Sequence, residues 1–286
     1  MTNGIERIVD AHIHFWDPAR ADWYPYLSGG MELDIGDISG MIRRFMPETY
    51  RAESARWNVD KVVHVSAAGG FIVEETLERE EMGAATGDPA AIVGGIRSDM
   101  SGAQADAFLD AQMAASRFRG VRVMGPEPGG VPHRDVLAGL RDRGLVLDLM
   151  AHAPELEPAA ATLADWGDLT VVVEHTGWPR ANTPEEYATW QRGMAALAAL
   201  PHVHCKLSGL AMPLATMDAE VFRPWIEYAL EVFGVDRCFF ASNFPVDSTH
   251  GTFDDLYTTF ATLTADLDAA ARAKLFAENA ERVYRC

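Results

Sequence analysis

Residues 10–18 read DAHIHFWDP, two histidines one residue apart at the end of a short apolar run. On a β-strand, residues i and i+2 point to the same face. His12 and His14 are therefore expected to present two imidazoles side by side from one strand end. Imidazole is the commonest metal-binding side chain. An H-x-H pair also occurs as two ordinary strand-end histidines, so the rest of the chain has to decide its meaning.

Moving outward, short apolar runs alternate with longer stretches rich in Ala, Leu, Glu and Arg. The runs are RIVDAHIHF (7–15), VDKVVHVSA (59–67), AAIVGGIRS (90–98), RGVRVMG (119–125), LVLDLMAHA (145–153), LTVVVEHTG (169–177), VHCKLSGL (203–210) and RCFFASNF (237–244). Several are β-branched and apolar on both faces, as buried parallel strands are. Between them, Pro184 before two glutamates suits a helix first turn and Gly234 a helix stop. Eight strands each followed by a helix, in 286 residues, predict a (β/α)8 TIM barrel occupying 1–286 as a single domain. An open doubly wound sheet is the competitor, but the first turn is long and aromatic and lacks a Gly-rich phosphate loop.

In such a barrel the active site lies at the C-terminal strand ends. The polar residues expected there are His12 and His14 from strand 1, Arg97 from strand 3, Arg122 from strand 4 and His152 from strand 5. Strand 6 adds His175, strand 7 Lys206, and strand 8 Asn243 and Asp247. A lysine inside an apolar strand is costly unless paired, which favours a site role for Lys206. Of the other histidines, His64 reads as a hydrogen-bonded core residue, and His133, His202, His204 and His250 lie away from the strand tops.

The set DAHIHFWDP, RGVRVMG, VVVEHTGWP, HCKLSGL and CFFASNFPVD resembles the amidohydrolase superfamily, in order along essentially the whole chain. The closer likeness is to the amidohydrolase-related branch with sugar lactonases and pyrone-dicarboxylate lactonase. The resemblance implies a mononuclear site on His12, His14, His152 and the strand 8 position, with His175 assisting catalysis. It implies one divalent ion, zinc or manganese, although some lactonases of this branch work without one. The departure is Asn243, where the superfamily has aspartate: an amide ligates weakly and takes no proton from water. Asp247 is the nearest spare carboxylate, and the sequence leaves open whether it turns into the barrel or caps the next segment.

The function so implied is the opening of a lactone by activated water, with His175, Asp247 and Lys206 as catalytic groups. Arg97 and Arg122 are candidates for gripping a substrate carboxylate, or for pairing with a nearby acid. Trp16 and Trp178 are candidates for the pocket wall. A metal-dependent decarboxylase and a ligand-binding barrel that has lost its chemistry are the alternatives. A net charge of -18 disfavours nucleic-acid and anionic membrane partners. Three cysteines without C-x-x-C spacing argue against a disulfide framework. With no signal-like start and no run of ~18 apolar residues, the expectation is a cytoplasmic protein, a homodimer being one allowed assembly, that acts on a small molecule.

Overall fold

The computed structural model describes residues 4–28, 38–70, 72–124 and 130–286. Eight parallel strands follow one another around a single sheet in sequence order. They are β1 (Ile8–Ile13), β2 (Val59–Val65), β3 (Ala91–Arg97), β4 (Phe118–Met124), β5 (Val146–Leu149), β6 (Val171–Val173), β7 (Val203–Leu207) and β8 (Cys238–Phe240). The ring closes at its top edge, where His14 N donates to Phe244 O at 2.8 Å and Asn243 N donates to His12 O at 2.8 Å. Lower down, the fully buried Asp10 accepts from Ser242 N at 2.8 Å and from the Tyr50 hydroxyl at 2.7 Å. The predicted TIM barrel is the fold.

Helices pack around the strands. Pro184 begins the helix Pro184–Ala198, capped by the Thr183 hydroxyl, which accepts from Glu186 N. Gly234, at φ +75°, ends the helix Ala219–Phe233. Both are the signals that the sequence carries. Inside the barrel, Val9, Ala11, Val63, Val65, Val93, Val146, Val172 and Phe239 form one apolar cluster with Ala280, Val283 and Tyr284 of the C-terminal helix Asn279–Tyr284. Lys61, near the start of β2, bonds Glu281 at 2.6 Å. The C-terminal helix therefore closes the end at which the strands begin, opposite the site.

Most strands are shorter than the apolar runs suggest, and in four of them the chain leaves the sheet where it must place polar side chains. β1 ends at Ile13, so His14 lies just past it, and a register irregularity between Asp10 and Ile13 interrupts the strict alternation. β5 stops at Leu149 because His152 caps the helix Ala153–Leu163, which carries proline in its first turn. β6 stops at Val173, before a left-handed turn at His175, Thr176, Gly177 and Trp178. β8 stops at Phe240, before Asn243 at φ +56°. For β4, Gly125 of the expected run lies outside the described residues.

The β4–β5 contact depends on Gly120, where a Cβ would sit 2.3 Å from the Val146 carbonyl oxygen. Gly120→Ala is expected to force the two strands apart and cost about 2–3 kcal/mol. Thermal unfolding checks this. An unchanged Tm would mean that the sheet absorbs the methyl group there.

Candidate active site

At the mouth, His14 Nδ1 lies 2.8 Å from the Val65 carbonyl. A carbonyl only accepts, so Nδ1 carries the proton. Burial, and then Arg122, hold His14 far below the ordinary imidazole range, so the ring is neutral and its Nε2 is a lone pair. That Nε2 lies 3.2 Å from His12 Nε2. His12 is also held neutral, by burial and then by Lys206. Two arrangements satisfy the pair. In one, His12 Nε2–H donates to His14. In the other, both lone pairs face one point, which only a cation there stabilises.

Glu174, just past β6, bears on the choice. It is buried, and neither carboxylate oxygen has a hydrogen-bond partner among the described residues. Its Oε1 lies 3.4 Å from His12 Nδ1 and 4.0 Å from Lys206 Nζ, and its Oε2 lies 3.5 Å from Arg122. A buried carboxylate without hydrogen bonds is costly. Placing the His12 proton on Nδ1 turns it toward Glu174 and frees Nε2, in the manner of carboxylate–histidine–metal sites. His12, Glu174 and His175 each bring a ligand-capable atom within 4.8 Å of the others. The donor set fits a divalent ion.

His175 has Nδ1 3.1 Å from the Ser208 hydroxyl, and its ring centre lies 4.5 Å from that of His12. Burial, then Arg122 and Lys206, keep it neutral. Gly209 lies directly against it: a Cβ there would meet the imidazole at 2.5 Å. His175, Thr176 and Trp178 all hold positive φ, a conformation costing on the order of 1–3 kcal/mol per non-glycine residue.

Beneath the histidines, Lys206 Nζ lies 2.7 Å from Asp148 Oδ2 and 3.5 Å from His12 Nδ1. The Tyr284 hydroxyl donates to Asp148 at 2.8 Å, and the Lys206 ammonium lies 5.1 Å from the Tyr284 ring centre. All three side chains are completely buried. Burial raises the Asp148 carboxyl to about 6 against the opposing pull of Lys206.

The other expected site residues are placed as follows. Arg122 is buried, with one nitrogen on the Ser66 carbonyl, one near Glu174, and Nε unpartnered. Trp16 is buried and stacks parallel on His14 at 5.6 Å, its indole nitrogen unpartnered. Trp178 is half-buried beside His152 and His175. His152 does not join the His12–His14 pair in any described contact; its Nδ1 bonds the Trp178 carbonyl at 3.1 Å. Arg97 is not brought in either: its exposed side chain pairs with Asp99 at 2.6 Å.

Asn243 donates its amide to Asp247 Oδ1 at 2.8 Å. Asp247 opens a short turn and is fully buried, with Oδ2 unpartnered. Glu174 and Asp148 were missed by the sequence reading. Both are acids in apolar runs, VVVEHTG and LVLDLM, the signal that drew attention to Lys206.

Residues 9–286 match the amidohydrolase family model, and the chain belongs to that family. It is 31% identical to the uncharacterized protein y4mH of Sinorhizobium fredii, across 97% of this chain and 98% of that one. It is 29% identical to an L-fucono-1,5-lactonase of Burkholderia ambifaria, across 97% and 95%. A crystal structure of a zinc-bound amidohydrolase from Burkholderia multivorans superposes with a TM-score of 0.78 at 25% identity, covering 97% of this chain and 99% of that one. No helix among the described residues is long and apolar enough to cross a membrane.

Burial raises the Asp247 carboxyl to about 7. The folded state therefore keeps this proton up to about pH 7, whereas the unfolded chain releases it near 4. Its contribution to stability is complete below about pH 4 and is lost as pH rises through 7. Asp247→Asn keeps the acceptor for Asn243 and removes the titration. Its Tm is expected to exceed that of the wild type by about 5 °C at pH 8 and by much less at pH 5. Equal differences at the two pH values would place the carboxyl's titration elsewhere.

Proposed function

We propose that the protein opens a lactone by hydrolysis, and that the ring is neutral and hydroxyl-rich, as in a sugar lactone. The observation that carries this reading is the buried, hydrogen-bond-free carboxylate of Glu174 set among the neutral rings of His12, His14 and His175. The likeness to a protein named as an L-fucono-1,5-lactonase, over nearly the full length of both chains, supports the reaction class. Charge supports the substrate class. Arg97 is committed to Asp99, and Arg122 to Ser66 and Glu174. Residues 29–37 and 125–129 contain no lysine or arginine. Neither expected arginine is left as a free fork for a carboxylate. The unpartnered Nε–H of Arg122 and the Trp16 indole N–H suit a hydroxyl or a carbonyl oxygen.

His12 and His14, with Glu174 as the carboxylate behind His12, are the residues that would hold a divalent ion, zinc or manganese. Such an ion supplies a polarised carbonyl and a water acidified towards a pKa of ~7. His175, neutral and oriented through Nδ1 by Ser208, takes the proton of the attacking water and returns it to the departing ring oxygen. Asp247 is the second proton-handling group, poised near neutrality where acid–base exchange is most effective. Lys206 acts through its neighbours: fixed by Asp148, its ammonium offsets the buried charge of Glu174. Trp16 and Trp178 wall the ring, and their positions against His14 and His175 keep water from the histidine flanks.

Proton release from neutral 1,5-aldonolactones, compared with a carboxylated pyrone lactone, tests the proposal. The expected result is a kcat/KM at least about tenfold higher for the neutral rings. In His175→Asn, a residue type that tolerates positive φ, kcat should fall by about 10²–10⁴ with little change in KM. Turnover confined to the carboxylated lactone, or release of CO₂ from a carboxylated aromatic acid, would overturn it.

A further inference from the structure

Glu75 lies in the first turn of the helix Ile72–Thr86, completely buried, and the reaction as proposed makes no use of it. Its carboxylate is nevertheless among the most engaged groups in the protein. Oε1 accepts from the Tyr24 hydroxyl at 3.1 Å and Oε2 from the Ser66 hydroxyl. Ala67 N lies 3.2 Å from both oxygens, and Ala68 N 3.2 Å from Oε2. His64 Nε2 lies 3.6 Å from Oε1. Arg79, also buried, donates to the same Tyr24 hydroxyl at 3.1 Å.

The segment so held is the exit of β2, and its carbonyls face the site. Val65 O receives His14 Nδ1–H at 2.8 Å, and Ser66 O receives the Arg122 guanidinium. The exit of β1 comes near the same carboxylate through His64, whose Nε2 faces it without a hydrogen bond. Phe15 N donates to His64 Nδ1 at 3.2 Å, so the His64 proton sits on Nε2, facing Glu75. His14 is thus bracketed, by its own bond to Val65 and by the bond of its neighbour Phe15 to His64. Both brackets lie against the segment and side chain that Glu75 organises.

We propose that Glu75 is a positioning residue, holding the β1 and β2 exits in the register that aims His14 Nε2 and the Arg122 guanidinium into the mouth. The inference rests on the reading that His14 and Arg122 serve the site. Charge is essential to it, because both oxygens receive donors. In Glu75→Gln the new NH₂ must displace one set. The set able to adjust is the Tyr24 hydroxyl with His64, and an accepting His64 Nε2 moves the imidazole proton to Nδ1. There it confronts the Phe15 N–H, and the bracket beside His14 opens.

The test uses histidine ¹⁵N NMR on the full-length metal-free protein, with zinc affinity by chelator competition as a second readout. Thr76→Val is the control for a merely structural loss: it removes a buried bond from the same helix, to Gln112 at 2.8 Å, which involves none of the partners of Glu75. In Glu75→Gln the His14 Nδ1 proton should exchange with solvent about tenfold faster, and zinc should bind about tenfold more weakly. Thr76→Val should match the wild type in both. Ser66→Ala, which removes one donor and leaves the backbone in place, should move both readouts in the same direction by a smaller factor. It decides the matter if the glutamine variant does not fold. Exchange in Glu75→Gln and Ser66→Ala equal to that in Thr76→Val would overturn the proposal. A wild type with a protected His14 proton but no zinc uptake would count against the ion in the proposed function, and the exchange rates alone would then judge Glu75.

Discussion

The ion pair of Lys206 and Asp148, buried completely in the middle of the barrel, is the constraint from which the rest of the site follows. An ammonium in an apolar barrel is unstable without a partner, and removing either member of such a pair typically costs about 3–5 kcal/mol. Asp148 meets that need directly, and Tyr284 from the C-terminal helix saturates Asp148 from below. The same economy extends upward. Arg122 faces Glu174, and Glu174 faces His12 and Lys206. Two cations and two carboxylates balance, so burial can keep the three imidazoles neutral and leave their lone pairs for chemistry.

Rigid placement of these groups comes from both ends of the barrel. The C-terminal helix sets the depth of Lys206 through Tyr284. At the mouth, the strained turn His175–Trp178 and the close approach of Gly209 fix the imidazole of His175. Asn243, also at positive φ, holds Asp247. The resemblance implied a carboxylate at position 243; here a carboxylate lies four residues on, reached through the amide that replaced it. The protein therefore retains a buried acid beside β8, with a carboxyl near neutrality.

Much of the fold was legible in the chain because a parallel strand buried on both faces leaves an apolar run that little else imitates. His12, His175, Lys206 and Arg122 were legible for a related reason, each being a polar residue where an apolar one is expected. The strand ends were not. Where His152 caps a helix and Glu174 enters a left-handed turn, the apolar pattern continues while the backbone has already departed. Arg97 misled because a strand-end side chain can turn either way, and Asp99 two residues on captures it. Glu75 left no signal at all: in VEETLEREE it is one acid among five, and only the tertiary fold buries it.

The central claim is that Glu174 and the His12–His14 pair form a cation site at the barrel mouth. The most direct measurement is elemental analysis of tag-free protein purified without chelators, wild type beside Glu174→Gln. The account predicts close to one zinc or manganese per wild-type chain, and a clear loss in the variant. Metal far below stoichiometric in the wild type, even after incubation with either ion, would contradict it. The short His12–His14 contact would then be a hydrogen bond between two neutral rings.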